Sequence, residues 1–306
     1  MKLKKFFSIL LILGVILSLF SIGANADSNY HIDVVTKDMT TGEIYTERVY
    51  PTNRPDLPST RSSNSIIGDM DREPLDDPKD SICYIESTFS DGSGITGTGF
   101  VVGNNIVVTA GHVIYDKSGE TGYAVKVDVY PGHSAGKGSP FGKFNSTSLH
   151  VTNNYAYEST GSDITRAYYD IGIIELGTNI EAKTGSWALE YTGYNFNDVF
   201  LNQNFSIIGY DDHGINSSQY YSAGKVTGVQ TMINDGIRYY LASHVIDTTH
   251  GTSGSPLHQG NTAFGVHVMG TIDTPVIPGE TRTENSDLVI NKLYYDWIYD
   301  YVDGIL

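Results

Sequence analysis

Ser253 lies in the stretch Gly251-Thr252-Ser253-Gly254-Ser255-Pro256. Glycines on both sides allow a tight turn that leaves a hydroxyl accessible, with the N–H groups of Gly251 and Ser253 able to face one point. Acyl transfer needs that combination: an Oγ close to a base, and donors aimed where a carbonyl oxygen becomes an oxyanion. A Gly/Ser turn by itself is as often an ordinary loop. Two upstream pieces supply the missing partners. Thr109-Ala110-Gly111-His112 closes the apolar run 99–108, and Tyr169-Asp170-Ile171-Gly172-Ile173-Ile174 sets an acid at the head of another. An imidazole can take up and return a proton near neutral pH, and a carboxylate can orient it and stabilise its charged form. The candidate catalytic residues are therefore His112, Asp170 and Ser253, with Gly251 and Ser253 as oxyanion donors.

The elements that must hold these residues read as short strands. Residues 81–88, 97–109, 124–130 and 169–176 form one series, and 204–210, 222–231, 237–245 and 261–269 a second. Breakers such as Tyr130-Pro131-Gly132 and Gly136-Lys137-Gly138-Ser139-Pro140 separate them. Thirty-three glycines and many β-branched runs favour β structure over helix. The 306 residues, 40% of them hydrophobic, suffice for two β-domains. The order His, Asp, Ser also differs from the Asp-His-Ser of subtilisins and the Ser-acid-His of α/β-hydrolases. The expected fold is all-β, two six-stranded antiparallel β-barrels of the chymotrypsin type, with the site in the seam. Residues 65–185 would form the first barrel, carrying His112 and Asp170, and 186–306 the second, carrying Ser253 and the specificity pocket. Leu293, Tyr294, Trp297, Ile298 and Tyr301 recur at helical spacing, which predicts a terminal amphipathic helix on the second barrel.

The ends of the chain carry different signals. Three lysines precede an apolar run over 6–22 and then Ala24-Asn25-Ala26, the layout of a secretory signal peptide spanning 1–26. Residues 27–64 are polar and interrupted by Pro51, Pro55 and Pro58. They read as a propeptide with little core of its own, whose removal would leave Ser65 as the new N-terminus. The net charge of −16 is spread along the chain rather than held in a tail. No basic patch exists to neutralise phosphates, so nucleic acid is not an expected partner. Release without a membrane anchor gives a secreted, extracellular protein, expected as a monomer, with a processing protease as one partner. Cys83 is the only cysteine, which excludes an intramolecular disulfide. Its place in an apolar strand makes it a packing residue. No His-Glu-x-x-His pattern appears, so no catalytic metal and no cofactor are expected. Asp76, Asp77 and Asp80 are the carboxylates at which a structural calcium is left open.

Residues 109–112, 169–176 and 251–256 resemble the three triad motifs of chymotrypsin-fold serine peptidases, and more closely those of the bacterial glutamyl endopeptidases. The likeness extends to Ser65 to Gly68, to Ile207-Ile208-Gly209-Tyr210, and to Thr248 with Gly265-Val266-His267. It implies a secreted, zymogen-derived serine endopeptidase cutting after Glu and less readily after Asp, whose partners are protein or peptide substrates with acidic residues. Thr248 and His267 would bind the substrate carboxylate, with the freed α-amino group of Ser65 close by. A carboxylate held out of water needs such donors. The sequence departs from the pattern at Thr252, at His250 where glycine is common, and at Val113 where many relatives have a disulfide-bonded cysteine. A catalytically impaired binding or adhesion module, or a narrow-target toxin, is the rival reading on the same fold.

Overall fold

The computed structural model describes residues 30–56, 70–117, 121–158, 163–191, 196–270 and 284–306. The signal segment, Ser65 and the cut expected after Asn64 lie outside them. Along the chain the strands are β1 (Ile32–Asp38), β2 (Ile44–Val49), β3 (Met70–Pro74), β4 (Ile82–Thr88), β5 (Gly94–Gly103), β6 (Ile106–Thr109), β7 (Tyr115–Asp116), β8 (Gly122–Tyr123), β9 (Lys126–Pro131), β10 (Phe144–Thr152) and β11 (Gly172–Leu176). The second series is β12 (Ala188–Leu189), β13 (Asn204–Tyr210), β14 (Gln219–Asn234), β15 (Ile237–His244), β16 (Pro256–Gln259), β17 (Thr262–Met269) and β18 (Asn285–Val289).

Two closed antiparallel barrels result. In the first, the order β11-β6-β5-β4-β9-β10 closes through β10 and β11; in the second, β17-β16-β13-β14-β15-β18 closes through β17 and β18. Each ring has six strands and leaves no free edge within it. The all-β, double-barrel expectation with a C-terminal helix holds. Burial follows from composition: every residue of Ile106-Val107-Val108-Thr109 is buried, as is all of β18.

Four local expectations are corrected. Residues 97–109 are not one strand but the hairpin of β5 and β6, reversed at Asn104, whose φ of 45° is a turn conformation asparagine tolerates. Phe144–Thr152, which pairs with β1, β9 and β11, escaped notice because its many polar residues read as a loop. Residues 30–56 do contribute to a core: Val34 and Val35 are fully buried on β1, which pairs with β10. The terminal helix, Lys292–Val302, packs against the first barrel as well as the second. Tyr294 Oη donates to the Tyr168 carbonyl at 2.9 Å, Tyr301 Oη lies 3.1 Å from His150 Nδ1, and Asn104 Nδ2 donates to the Val302 carbonyl. Conversely β3, which precedes the first barrel in sequence, pairs with β14 of the second.

The helix begins at Asn291, whose Oδ1 accepts the Tyr294 N–H at 2.9 Å while Nδ2 donates to the Arg238 carbonyl at 3.0 Å. Alanine at this position removes an N-cap and a tie to β15. Asn291→Ala is expected to lower unfolding free energy by about 1 kcal/mol from the cap alone, measurable as a reduced urea midpoint with unchanged slope.

Candidate active site

His112 lies in the single helical turn Gly111–Ile114 that follows β6. Asp170 sits in the turn ahead of β11, and β11 pairs with β6, so the two residues meet at the same end of adjacent strands. The Asp170 carboxylate is held twice: Oδ1 accepts the His112 backbone N–H at 2.8 Å, and Oδ2 lies 2.7 Å from His112 Nδ1. An ionised carboxylate can only accept, so Nδ1 carries the proton and Nε2 is left as the basic nitrogen. Burial opposes protonation of this imidazole, but the charge of Asp170 and its hydrogen bond outweigh burial, and the His112 pKa is raised above 6.5. The His112 side chain keeps 30% of its exposure, against 9% for Asp170. It opens on a cleft of about 360 Å³ whose walls include Tyr115 and Tyr155 from the first half and Val268 and Met269 from β17.

Ser253 reaches this seam on the turn between β15 and β16. Ser255 N–H donates to the Thr252 carbonyl, Gly254 N–H to the His267 carbonyl at 2.8 Å, and His267 N–H to the Ser255 carbonyl. The turn is fastened to the first barrel through Thr98 of β5. Its N–H donates to the Ser253 carbonyl at 2.8 Å, and its hydroxyl donates to the Gly251 carbonyl at 2.8 Å while accepting the Tyr210 N–H. The Thr98 carbonyl in turn accepts from Thr109 Oγ1, three residues before His112. Gly254, at φ 90°, has no room for a side chain: a Cβ would fall 2.0 Å from the Thr98 carbonyl oxygen. Gly251, at φ 93°, leaves no room either: a Cβ would fall 2.5 Å from the Asp211 carbonyl carbon. Among the described residues, the N–H groups of Gly251 and Ser253 donate to no protein acceptor, and the His112 imidazole is bonded to Asp170 but not to the Ser253 hydroxyl.

The remaining expected site residues are distributed unequally. His267, on β17, is buried with Nδ1 2.7 Å from Oδ1 of Asp287 on β18. The same oxygen lies 3.2 Å from Nε2 of His244 on β15, a charge contact without hydrogen-bond alignment. The His244 Nδ1 accepts the Ile246 N–H at 3.2 Å. Burial alone would push the Asp287 carboxyl up; the two imidazoles outweigh it and hold it down to about 2. Thr248 is half-buried in the segment before Ser253 and makes no hydrogen bond to His267 among the described residues. Ser65 lies outside them. His250 is exposed, and Cys83 is fully buried with its thiol pKa pushed up by burial.

Thr98, His244 and Asp287 were missed from sequence. Only Asp287 carried a signal, a charge inside the buried strand Asn285-Ser286-Asp287-Leu288-Val289. His244, His267 and Asp287 place ligand atoms within 4.8 Å of one another and are the only such set among the described residues. All three are closed to solvent, whereas a catalytic metal needs an open position for water. Asp76, Asp77 and Asp80 form no such set. No described helix is long and apolar enough to cross a membrane.

Residues 79–285 match the family model described as Trypsin. The chain is 27% identical over 222 residues to a glutamyl endopeptidase of Bacillus licheniformis, covering 68% of this chain and 62% of that protein, under two thirds of its length. It is 26% identical over 221 residues to a Bacillus subtilis protein named extracellular metalloprotease, covering 69% and 64%. A solved structure of Glu endopeptidase in complex with MPD superposes with a TM-score of 0.59 at 25% identity, over 78% of this chain and all of that one.

Proposed function

Because this chain belongs to the trypsin family, we propose that it is a secreted serine endopeptidase, made as a zymogen, that hydrolyses peptide bonds after Glu and less readily after Asp. The observation that carries the reading is the fixed His112–Asp170 pair at 2.7 Å beside the hairpin to which Thr98 ties the Ser253 turn. In this mechanism Ser253 Oγ attacks the scissile carbonyl as His112 Nε2 takes its proton. The N–H groups of Gly251 and Ser253 receive the oxyanion. Collapse breaks the C–N bond, His112 protonates the leaving amine, and water repeats the sequence on the acyl-enzyme.

His267 supports the acidic specificity, since Asp287 orients its ring from behind as Asp170 orients His112. Thr248 would add a hydroxyl. Processing is supported by the path of β3: Met70 pairs with Ala223, whose neighbour Ser222 donates to the carbonyl of Asp247, next to Thr248. A new N-terminus at Ser65 would thus begin five residues before a strand that passes the pocket wall.

The test is cleavage-site mapping on a mixed peptide library, with labelling by an active-site serine reagent. Glu, and more weakly Asp, is expected before the cut, with label on Ser253; enrichment of other residues there would remove the carboxylate-pocket assignment. The pH profile follows from His112. Its neutral form is the base and its pKa is raised, so kcat/KM should climb with pH through a midpoint above 6.5. In Asp170→Asn, burial acts unopposed and the midpoint should move below that of the parent, with turnover lowered.

A further inference from the structure

Residues 30–56 precede the cut proposed above, yet they are built into the first barrel. β1 runs along β10 in five registered pairs, from Val34 with Thr152 to Asp38 with Ser148. β2 pairs only with β1, so the hairpin is held through that one ladder and through side chains. Those side chains reach inside the protein. Tyr123 Oη donates to the Val35 carbonyl while accepting the Val151 N–H, and the buried Lys37 ammonium donates to the Ala124 carbonyl at 3.0 Å. Thr36 Oγ1 lies 2.9 Å from His150 Nδ1, whose Nε2 pairs with Glu175. The segment then crosses to the terminal helix. Thr52 N–H donates to Asp300 at 2.7 Å, and Arg54 pairs with Asp300 at 2.8 Å and Asp303 at 2.7 Å.

We infer that residues 30–56 stay bound without a covalent link after the chain is cut between residues 57 and 69. The processed protein is then a two-chain assembly in which the smaller chain supplies two strands of the first sheet. The natural occurrence of the cut rests on the zymogen reading; the retention rests on this interface. Losing the segment would strand the edge of β10 with unpaired N–H and carbonyl groups, expose the surface that covers Val34 and Val35, and leave Asp300 buried without its guanidinium. No residue of 30–56 lines the cleft of His112 and Asp170. The segment is therefore a structural subunit and not a plug in that cleft.

The experiment uses the full chain with Ser253→Ala, to prevent self-digestion, and a site-specific protease recognition sequence in place of residues 59–64. After complete cutting, native gel filtration followed by mass analysis under denaturing conditions should find both fragments in one peak at equal molar amounts, with the thermal midpoint of the uncut protein. Separate elution, or a larger fragment that keeps its midpoint alone, would overturn the inference. Val35→Asp in the same cut protein should release the segment; should that variant fail to fold, the cut parent decides. Natural processing is read separately by N-terminal sequencing of the secreted protein. Two N-termini are expected, and a single uncut chain would remove the zymogen reading while the engineered cut still decides retention.

Discussion

Ser253→Ala is expected to lower turnover by roughly 10⁴- to 10⁶-fold while leaving the fold and the thermal midpoint in place. The expectation of an intact structure comes from how the turn is held. Its bonds run through backbone groups, Gly254 to His267 and Thr98 to Ser253, and the Ser253 side chain contributes none of them. Alanine therefore deletes the nucleophile and little else. His112→Ala should fall to a similar floor, and the double variant should be no worse than either single one, because the two groups act in one proton transfer. Comparison of single-turnover rates with circular dichroism and a melting curve checks the point. A Ser253→Ala protein of near-normal activity would end the serine-peptidase assignment.

The second large effect concerns selectivity. Replacing His267 by alanine should cut kcat/KM for Glu substrates roughly 10- to 200-fold, the range for a lost hydrogen bond to a charged group, with a much smaller change for the matched Gln substrate. Asp287→Asn should reproduce part of that loss from a position that no substrate touches. Asp287 is fully buried and its carboxyl is held down to about 2, so it presents a full negative charge to His267 Nδ1 at neutral pH. The amide cannot. The ratio of Glu to Gln cleavage is the informative readout, since a merely loosened fold would slow both alike. Equal losses on the two substrates would leave His267 and Asp287 as structural residues. The pair also bears on acid stability: the Asp287 pKa is depressed from 3.8, so its contribution is complete above that value and is lost as pH falls toward about 2. The Asn variant should lack that part of the acid transition.

Residue type and order were enough to read the barrels; they also suggested His112, from its Thr-Ala-Gly context at the end of one apolar run, and Asp170, at the head of another, and these two stand 2.7 Å apart. What resisted reading was determined by distant partners. β10 has the polar sequence Phe-Asn-Ser-Thr-Ser-Leu-His-Val-Thr, and its buried His150 is tolerable only because Thr36, Glu175 and Tyr301 surround it. The prolines at 51, 55 and 58 suggested a propeptide with little core of its own, although the strand ahead of them, Ile32–Asp38, had the apolar content to pack. The terminal helix was given only one of its two neighbours because proximity in sequence stood in for proximity in space. Its anchors at Tyr168, Asn104 and His150 all precede residue 185. Thr98 could not have been singled out, since a threonine in a strand is common and only its three backbone contacts reveal its work.

β3 lies on the later barrel and the last helix reaches back to the earlier one, so the two halves are laced together by each other's ends. Trp297, the largest fully enclosed side chain, arrives with the final ten residues and belongs to the same apolar cluster as Val34 and Val107. Neither half closes its core without a piece drawn from beside the other, so both should melt in one cooperative transition.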